Sequence, residues 1–428
     1  MRFKRLSLLC VISVVSLLFV TGTINLLKIK GSLASPGVHY VAPAGSCGSV
    51  TPCHGTIQEA VDAANNGDVI KVAQGTYTGV LSDVVVINKG VSVLGGYATS
   101  DWDRADPANQ PSIINAERLR RGVTIEGQNM PTITLQGITI QNGHGFTAGG
   151  GGILIKNGTA IVQDCHIVSG TTTIGSGSGG GIEINAGEVF LVDNLIHDNN
   201  ATSGGGVSVG DAEVIMIGNT LLDNGAFFGG GLQVGNNGRV TMEGNKIIGS
   251  EAGANQGPGI LIWEAGVVHG RNDIIARNFS GQGDGEGILV DFGASLSARH
   301  WTVAGNDSYG VKSNGGDVSL TNTIVASHTA AALHGAGLAA NTSLFYGNSS
   351  DCGGGASCIN SLTGDPKFID PDADDYHIGS GSAAIDAGID AGVTTDIDGD
   401  SRPALFGFDI GADEFGYWSF VPVLLNQD

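Results

Sequence analysis

A block of glycines followed by one aliphatic residue returns through the middle of this chain. It reads Gly150-Gly151-Gly152-Ile153, Gly179-Gly180-Gly181-Ile182, Gly204-Gly205-Gly206-Val207 and Gly229-Gly230-Gly231-Leu232. Weaker copies follow as Gly257-Pro258-Gly259-Ile260, Gly285-Glu286-Gly287-Ile288 and Gly310-Val311. The aliphatic residues stand 29, 25, 25, 28, 28 and 23 positions apart. A period in the twenties containing strand-like segments constrains the fold strongly. Each repeat is too small to bury its own apolar face, so repeats must stack into a solenoid.

A second marker runs in phase with the first, an apolar stretch ending in Asn-x-aliphatic. It occurs at Asn194, Asn219, Asn245, Asn272 and Asn322, with Cys165 and Arg299 expected in the same slot of other repeats. Before the slot, apolar residues alternate with others: Val189 and Leu191, Val214 and Met216, Val240 and Met242. Period two means strands with one buried face. Asn tolerates the left-handed turn conformation and can hydrogen-bond up and down a stack. Each repeat therefore reads as one coil, paired in parallel with its neighbours about 4.8 Å away. The expected class is all-β, a right-handed parallel β-helix. In this the chain resembles the pectin-lyase-like superfamily, a likeness that speaks for architecture and says little about chemistry.

A solenoid needs its open end covered. Residues 38–115 fit a cap with the first coils, and residues 56–64 are the one helix-like stretch, with Ile57, Ala60, Val61 and Ala64 at helical spacing. Trp102 and Arg104 fall in a longer loop and are expected to pack it onto the cap, though binding is the alternative. Regular coils are expected over residues 116–350. Their charged column Glu188, Glu213 and Arg239 reads as an exposed ladder, whereas His269 falls in the inward slot of Leu191, Met216 and Met242, as a core histidine or a register shift.

The amino terminus reads as an export signal. Arg2, Lys4 and Arg5 precede an apolar run over residues 6–20, with a plausible cleavage site after Ala34; an uncleaved anchor is the alternative. Residues 1–34 carry five basic side chains and no acid, so their removal makes a chain of net charge −21 more acidic still. That excludes nucleic acid as a partner and disfavours acidic polysaccharides unless a cation bridges. Cys47 with Cys53 and Cys352 with Cys358 are placed to close local disulfides, in keeping with export. Cys165 is expected as a buried, unreactive thiol.

From residue 351 glycine repeats give way to aspartate. Asp365-Pro366-Lys367-Phe368, Ser382-Ala383-Ala384-Ile385-Asp386-Ala387-Gly388, Asp396-Ile397-Asp398-Gly399-Asp400, Arg402-Pro403 and Asp409-Ile410-Gly411-Ala412-Asp413-Glu414 follow in order. This block, residues 351–416, resembles the choice-of-anchor Q domain of bacterial surface proteins. The resemblance implies a cell-surface or secreted protein. The tail 417–428 is either a final strand or a sorting tag.

For chemistry, Asp396, Asp398 and Asp400 are candidate calcium ligands, since alternating carboxylates around a glycine can wrap a hard cation. The alternative is a turn in which the aspartates accept backbone N–H groups. Asp198 and Asp223 follow Asn194 and Asn219 by four residues each. Stacking would bring their carboxylates about one coil apart, near the spacing of a retaining glycosidase pair, with His197 adjacent; two solvated turn residues are the bland alternative. Gly143-His144-Gly145 echoes a polygalacturonase pattern, but its companions Asn-Thr-Asp and Arg-Ile-Lys are missing, so it is expected to be a loop. The expectation is a monomeric, non-catalytic protein for adhesion or carbohydrate binding, with an extracellular polysaccharide or cell-surface glycan as partner. A polysaccharide lyase or glycoside hydrolase is the alternative.

Overall fold

The computed structural model describes residues 36–146, 149–173, 175, 177–253, 256–281 and 285–416. The expected export signal and the tail lie outside them. Gly37 opens a compact unit built as a right-handed β-solenoid of about ten turns. Each regular coil runs two arms of a first sheet, a corner, one strand of a second sheet, another corner, and in the middle coils a short strand of a third sheet. Strand pairing along the solenoid is parallel, with an isolated antiparallel bridge between Asp291 and Gly315. The described antiparallel pair of strands is Phe368–Asp370 with Asp375–Ile378, beyond the coils.

The glycine-block residues stack as their spacing predicts. Ile153, Ile182, Val207, Leu232, Ile260, Ile288 and Val311 stand in one register column and none is solvent-exposed. Val189, Val214, Val240, Val268, Leu296 and Val318 form a second buried column. Ile196, Leu221, Ile247, Ile275, Val303, Val325 and Phe345 form a third, on the second sheet. At about 25 cal/mol per Å² of apolar surface, such columns are the main stabilising term, and each coil completes its neighbour's burial. Glu188, Glu213 and Arg239 pair in register on the solvent side, as the ladder reading expects.

The Asn slot is a buried hydrogen-bonded stack. Asn194 donates from its backbone and its Nδ2 to Asn219 Oδ1 at 3.1 and 2.9 Å, and Asn219 repeats this to Asn245. The next member is Asp273, not Asn272, and Trp301 and Thr323 follow it, not Arg299 and Asn322. The shift starts at residue 269. His269 pairs with Thr241 and is exposed, while Gly270 takes the inward slot opposite Met242. A Cβ on Gly270 would lie 2.2 Å from Trp301 Cζ2, so the indole of the next coil fills the space that a larger inward side chain would occupy. A second stack, which the sequence reading missed, lines the other corner through Asn199 to Asn224 and Asn278 to Asn306.

The helix Ile57–Ala63 closes the first coil. Thr56 and Glu59 make a capping box, and Ile57, Ala60 and Val61 enter the core. Gln58 Oε1 accepts from Val86 N at 2.7 Å, and Lys89 Nζ donates to the carbonyls of Val61, Asp62 and Ala64. Trp102 is a packing residue: it lies against Tyr40 and Tyr97 and donates to Cys47 O. Cys47–Cys53 and Cys352–Cys358 are disulfides, and burial pushes the Cys165 thiol up to about 12.

Residues 365–414 turn back as a strap along the outside of the second sheet. Ile248, Ile274, Ala276 and Ala304 bury against Tyr376 and Ala412, and Ile324, Ala326 and Leu344 against Ile378, Ala384 and Ile410. The turn residues mistaken for the slot serve this contact. Asn272 Nδ2 donates to Thr395 O, and Asn322 both donates to Ile389 O and accepts from its N–H. Within the strap Arg402 and Glu414 form a fully buried ion pair at 2.6 Å. Among the described residues no helix is long and apolar enough to cross a membrane.

Candidate functional site

Asp198 and Asp223 end neighbouring strands of the second sheet, Leu195–His197 and Thr220–Leu222, in the left-handed conformation at φ 53° and 51°. They line one groove of about 490 Å³ together with Asn200, Glu251 and Phe279. A second groove of about 630 Å³ lies over the third sheet. It shares Asn200 and Glu251 and adds Thr202 and Phe227. Phe227 and Phe279 are 52% and 43% exposed. Both rings therefore stand beside the groove carboxylates with much of their apolar faces open to solvent.

Asp223 leans along the solenoid. A Cβ on Gly249, one coil on, would lie 2.2 Å from its Oδ1, and Gly249 itself has φ +67°, so glycine is required there twice over. Burial, then the neighbouring Asp198, push the Asp223 carboxyl up, while Arg277 and His197 pull the other way. Arg277 is held by Asp374 of the strap through two bonds of 2.7 Å.

His197 Nδ1 meets Asp198 Oδ2 at 2.6 Å, and its Nε2 contacts Nε2 of His166, the rings stacked 4.6 Å apart. Burial, then His197, hold the His166 imidazole below its usual value. His166 also lines a third groove, of about 690 Å³, under the loop 98–111, with Tyr97, Pro107, Asp164, Asp193 and Leu195. The histidine pair therefore links this groove to the one at Asp198. His144 lies apart from it: His144–Gly145 is a short strand of the third sheet rather than a loop, with Nδ1 on Thr171 Oγ1 at 3.0 Å.

The structure brings the sequence candidates Asp198, Asp223 and His197 together and adds His166, Glu251, Phe227 and Phe279. Position along the coil would have found two of these. Asn200, Gly225, Glu251 and Phe279 form one register column at the coil spacing.

The other sequence candidates lie in the strap. Asp396 Oδ1 accepts the N–H groups of Asp398 and Asp400 at 3.0 and 2.8 Å, and its Oδ2 accepts that of Glu414. Oδ1 serves the turn, and Oδ2 ties it to the segment around Glu414. Asp398 instead meets His377 Nε2 at 2.6 Å, and Asp375 holds Nδ1 at 2.5 Å. The Asp398 hydrogen bond, with Asp375 and Asp413 nearby, raises the His377 imidazole to about 9.

Residues 121–281 match the family described as right handed beta helix region. No curated protein matches the chain. Among solved structures it is similar to pectate lyase Pel9A, with 14% identity over 90% of this chain and 97% of that one at a TM-score of 0.48. It is also similar to the A-module of the mannuronan C-5 epimerase AlgE6 of Azotobacter vinelandii, with 12% identity over 72% of this chain and 93% of that one at a TM-score of 0.24.

Proposed function

We propose that this is an exported, surface-associated β-helix protein that holds a hydroxyl-rich polysaccharide against its outer face, without turning it over. The observation that carries the reading is the pairing of exposed Phe227 and Phe279 with Asp198, Asp223, Glu251 and Asn200 in two adjoining grooves. Apolar ring faces suit the C–H face of a sugar ring, and carboxylate and amide groups suit its hydroxyls. The coil spacing of about 4.8 Å offers such groups repeatedly along one line, as an extended polymer requires. The acidic lining favours neutral glycans over uronates. Export is supported by the two disulfides and by the basic-then-apolar amino terminus, and a surface location by the carboxy-terminal resemblance.

A second reading, glycoside hydrolysis, is favoured by one observation. Asp223 is pushed toward its protonated form beside Asp198, which is how an acid and a nucleophile or base are set apart in carboxylate-pair enzymes.

One experiment separates the two. The protein is run through gels containing neutral plant, algal and bacterial polysaccharides, and the same polymers are assayed for new reducing ends. Binding predicts retardation by at least one polymer, lost in Phe227→Ala and Phe279→Ala, with no reducing ends formed. Reducing ends that vanish in Asp198→Asn or Asp223→Asn would replace it with the hydrolase reading. Free migration through every gel with no turnover would remove both.

A further inference from the structure

The strap contains a second cluster that the glycan face does not use. Its strand Asp375–Ile378, the turn at 396–400 and residues 413–415 enclose a pocket of about 360 Å³. His377, Asp398 and Asp413 each bring one donor atom to it, and these atoms all lie within 4.8 Å of one another. Asp413 is 9% exposed. Its Oδ2 accepts the Ile378 N–H at 2.7 Å, which fixes the carboxylate against the pocket it lines. Asp400 lines the same wall. Asp396 is the positioning residue: by taking the N–H groups of Asp398 and Asp400 it folds the turn that presents both carboxylates toward His377.

We propose that His377, Asp398 and Asp413 form a binding site for a divalent transition-metal ion of the zinc class. Ligand bonds of about 2.1 Å in a tetrahedron place donor atoms about 3.4 Å apart. His377 Nε2 and Asp398 Oδ2, hydrogen-bonded at 2.6 Å, would open to take the ion in place of the proton they share, and the widest pair, within 4.8 Å, would close by little more than 1 Å. An imidazole nitrogen with carboxylate oxygens suits zinc or its neighbours, whereas calcium selects oxygen ligands alone. A nitrogen donor in the set is what separates this site from the all-aspartate calcium loop expected from sequence. Asp375, on Nδ1 of His377, is placed as the carboxylate that orients a metal-bound imidazole from its far side. Three segments separated by 21 and 15 residues would be tied by one ion, which would fasten the strap's own fold.

The test uses the full exported chain, stripped with chelator and titrated with ZnCl2, CoCl2 and CaCl2 by calorimetry, with cobalt absorption as an independent signal of nitrogen ligation. The site predicts micromolar zinc binding, a cobalt spectrum of a low-coordinate nitrogen-oxygen site, and weak or absent calcium binding. His377→Gln and Asp398→Asn, both at partly exposed positions, should each weaken zinc ~10-fold or more. His166→Gln/His197→Gln controls for the other histidine pair and should leave that site's affinity unchanged. Zinc binding that survives His377→Gln, binding lost only in the His166/His197 double variant, calcium binding in preference to zinc, or no binding at all would each overturn the assignment.

Discussion

The outer face of the second sheet has two halves built on the same repeat, and they differ only in what points outward. Toward the amino-terminal end the outward residues are Thr139, Gln141, His166, Leu195, His197 and Thr220, all at least partly open to solvent. From Ile248 onward Ile274, Ala276, Thr302, Ala304, Ile324, Ala326 and Leu344 are buried under the strap, and Tyr346 and Leu362 re-emerge at the end of the sheet, 40% and 41% exposed. The inward columns from Val189 to Val318 and from Ile196 to Phe345 run through both halves, while the Met242 slot passes to Gly270 and the asparagine stack to Asp273, Trp301 and Thr323. The coil core therefore specifies the solenoid, and the outward positions decide whether a face meets solvent, a ligand or the chain's own end. The candidate glycan surface lies on the uncovered half and around the adjoining corner.

The largest test of that contrast is to loosen the strap. Glu414→Ala leaves Arg402 buried without its partner, a loss of about 3–5 kcal/mol. Residues 365–416 should become protease-sensitive and the apolar half should bind a hydrophobic dye, while far-ultraviolet circular dichroism keeps the β-solenoid signal. A matched pair of truncations comes next. Ile324→Ala, under the strap, should cost about 2–5 kcal/mol in denaturant unfolding. Leu195→Ala, its counterpart on the open half, should stay within about 0.5 kcal/mol. Equal costs would break the comparison.

A pH-dependent effect is expected at the Asp273 junction between the halves. Burial raises its carboxyl from 3.8 to about 8, though hydrogen bonds from Asn245 lower it in part. The folded state thus holds a proton that the unfolded chain releases, so this contribution is full below pH 4 and fades as pH rises to 8. Asp273→Asn restores the uncharged amide of the stack. It should raise Tm at pH 8, with the difference shrinking toward pH 4 in a melting series. Smallest of all, Asp198→Asn should shift unfolding by less than about 0.5 kcal/mol, because its side chain is largely exposed at a turn.

Much of this was legible in the sequence. Ile153 through Val311 announced the coils, and Val189, Val214 and Val240 announced the buried arm, because period-two burial and a coil length held within the twenties leave a direct trace. The reading slipped by one residue at Asn272 for a physical reason. Gly270 carries no side chain to mark the inward slot, and the indole that fills it belongs to Trp301 of the next coil. Asn272 and Asp273 are also both competent for a turn. The second asparagine stack was visible in principle, since Asn278 and Asn306 are one coil apart, as Asn199 and Asn224 are. The strap was not. Its apolar contacts with Ile324 and Leu344 join segments with no periodic relation. Likewise, Asp198 and Asp223 could be paired by counting along coils, whereas Phe227 and His166 acquire meaning only once the corners and the loop 98–111 are in place.

The most direct measurement of the central claim is hydrogen exchange on the full chain, with and without the polysaccharide that retards it. The account expects slowed exchange confined to the open half and its corner, in Leu195–His197, Asn200–Ser203 and Gly225–Phe228, and none in Ile324–Ala326 or Leu344–Tyr346 beneath the strap. Protection centred on the covered strands or on the strap itself would contradict it.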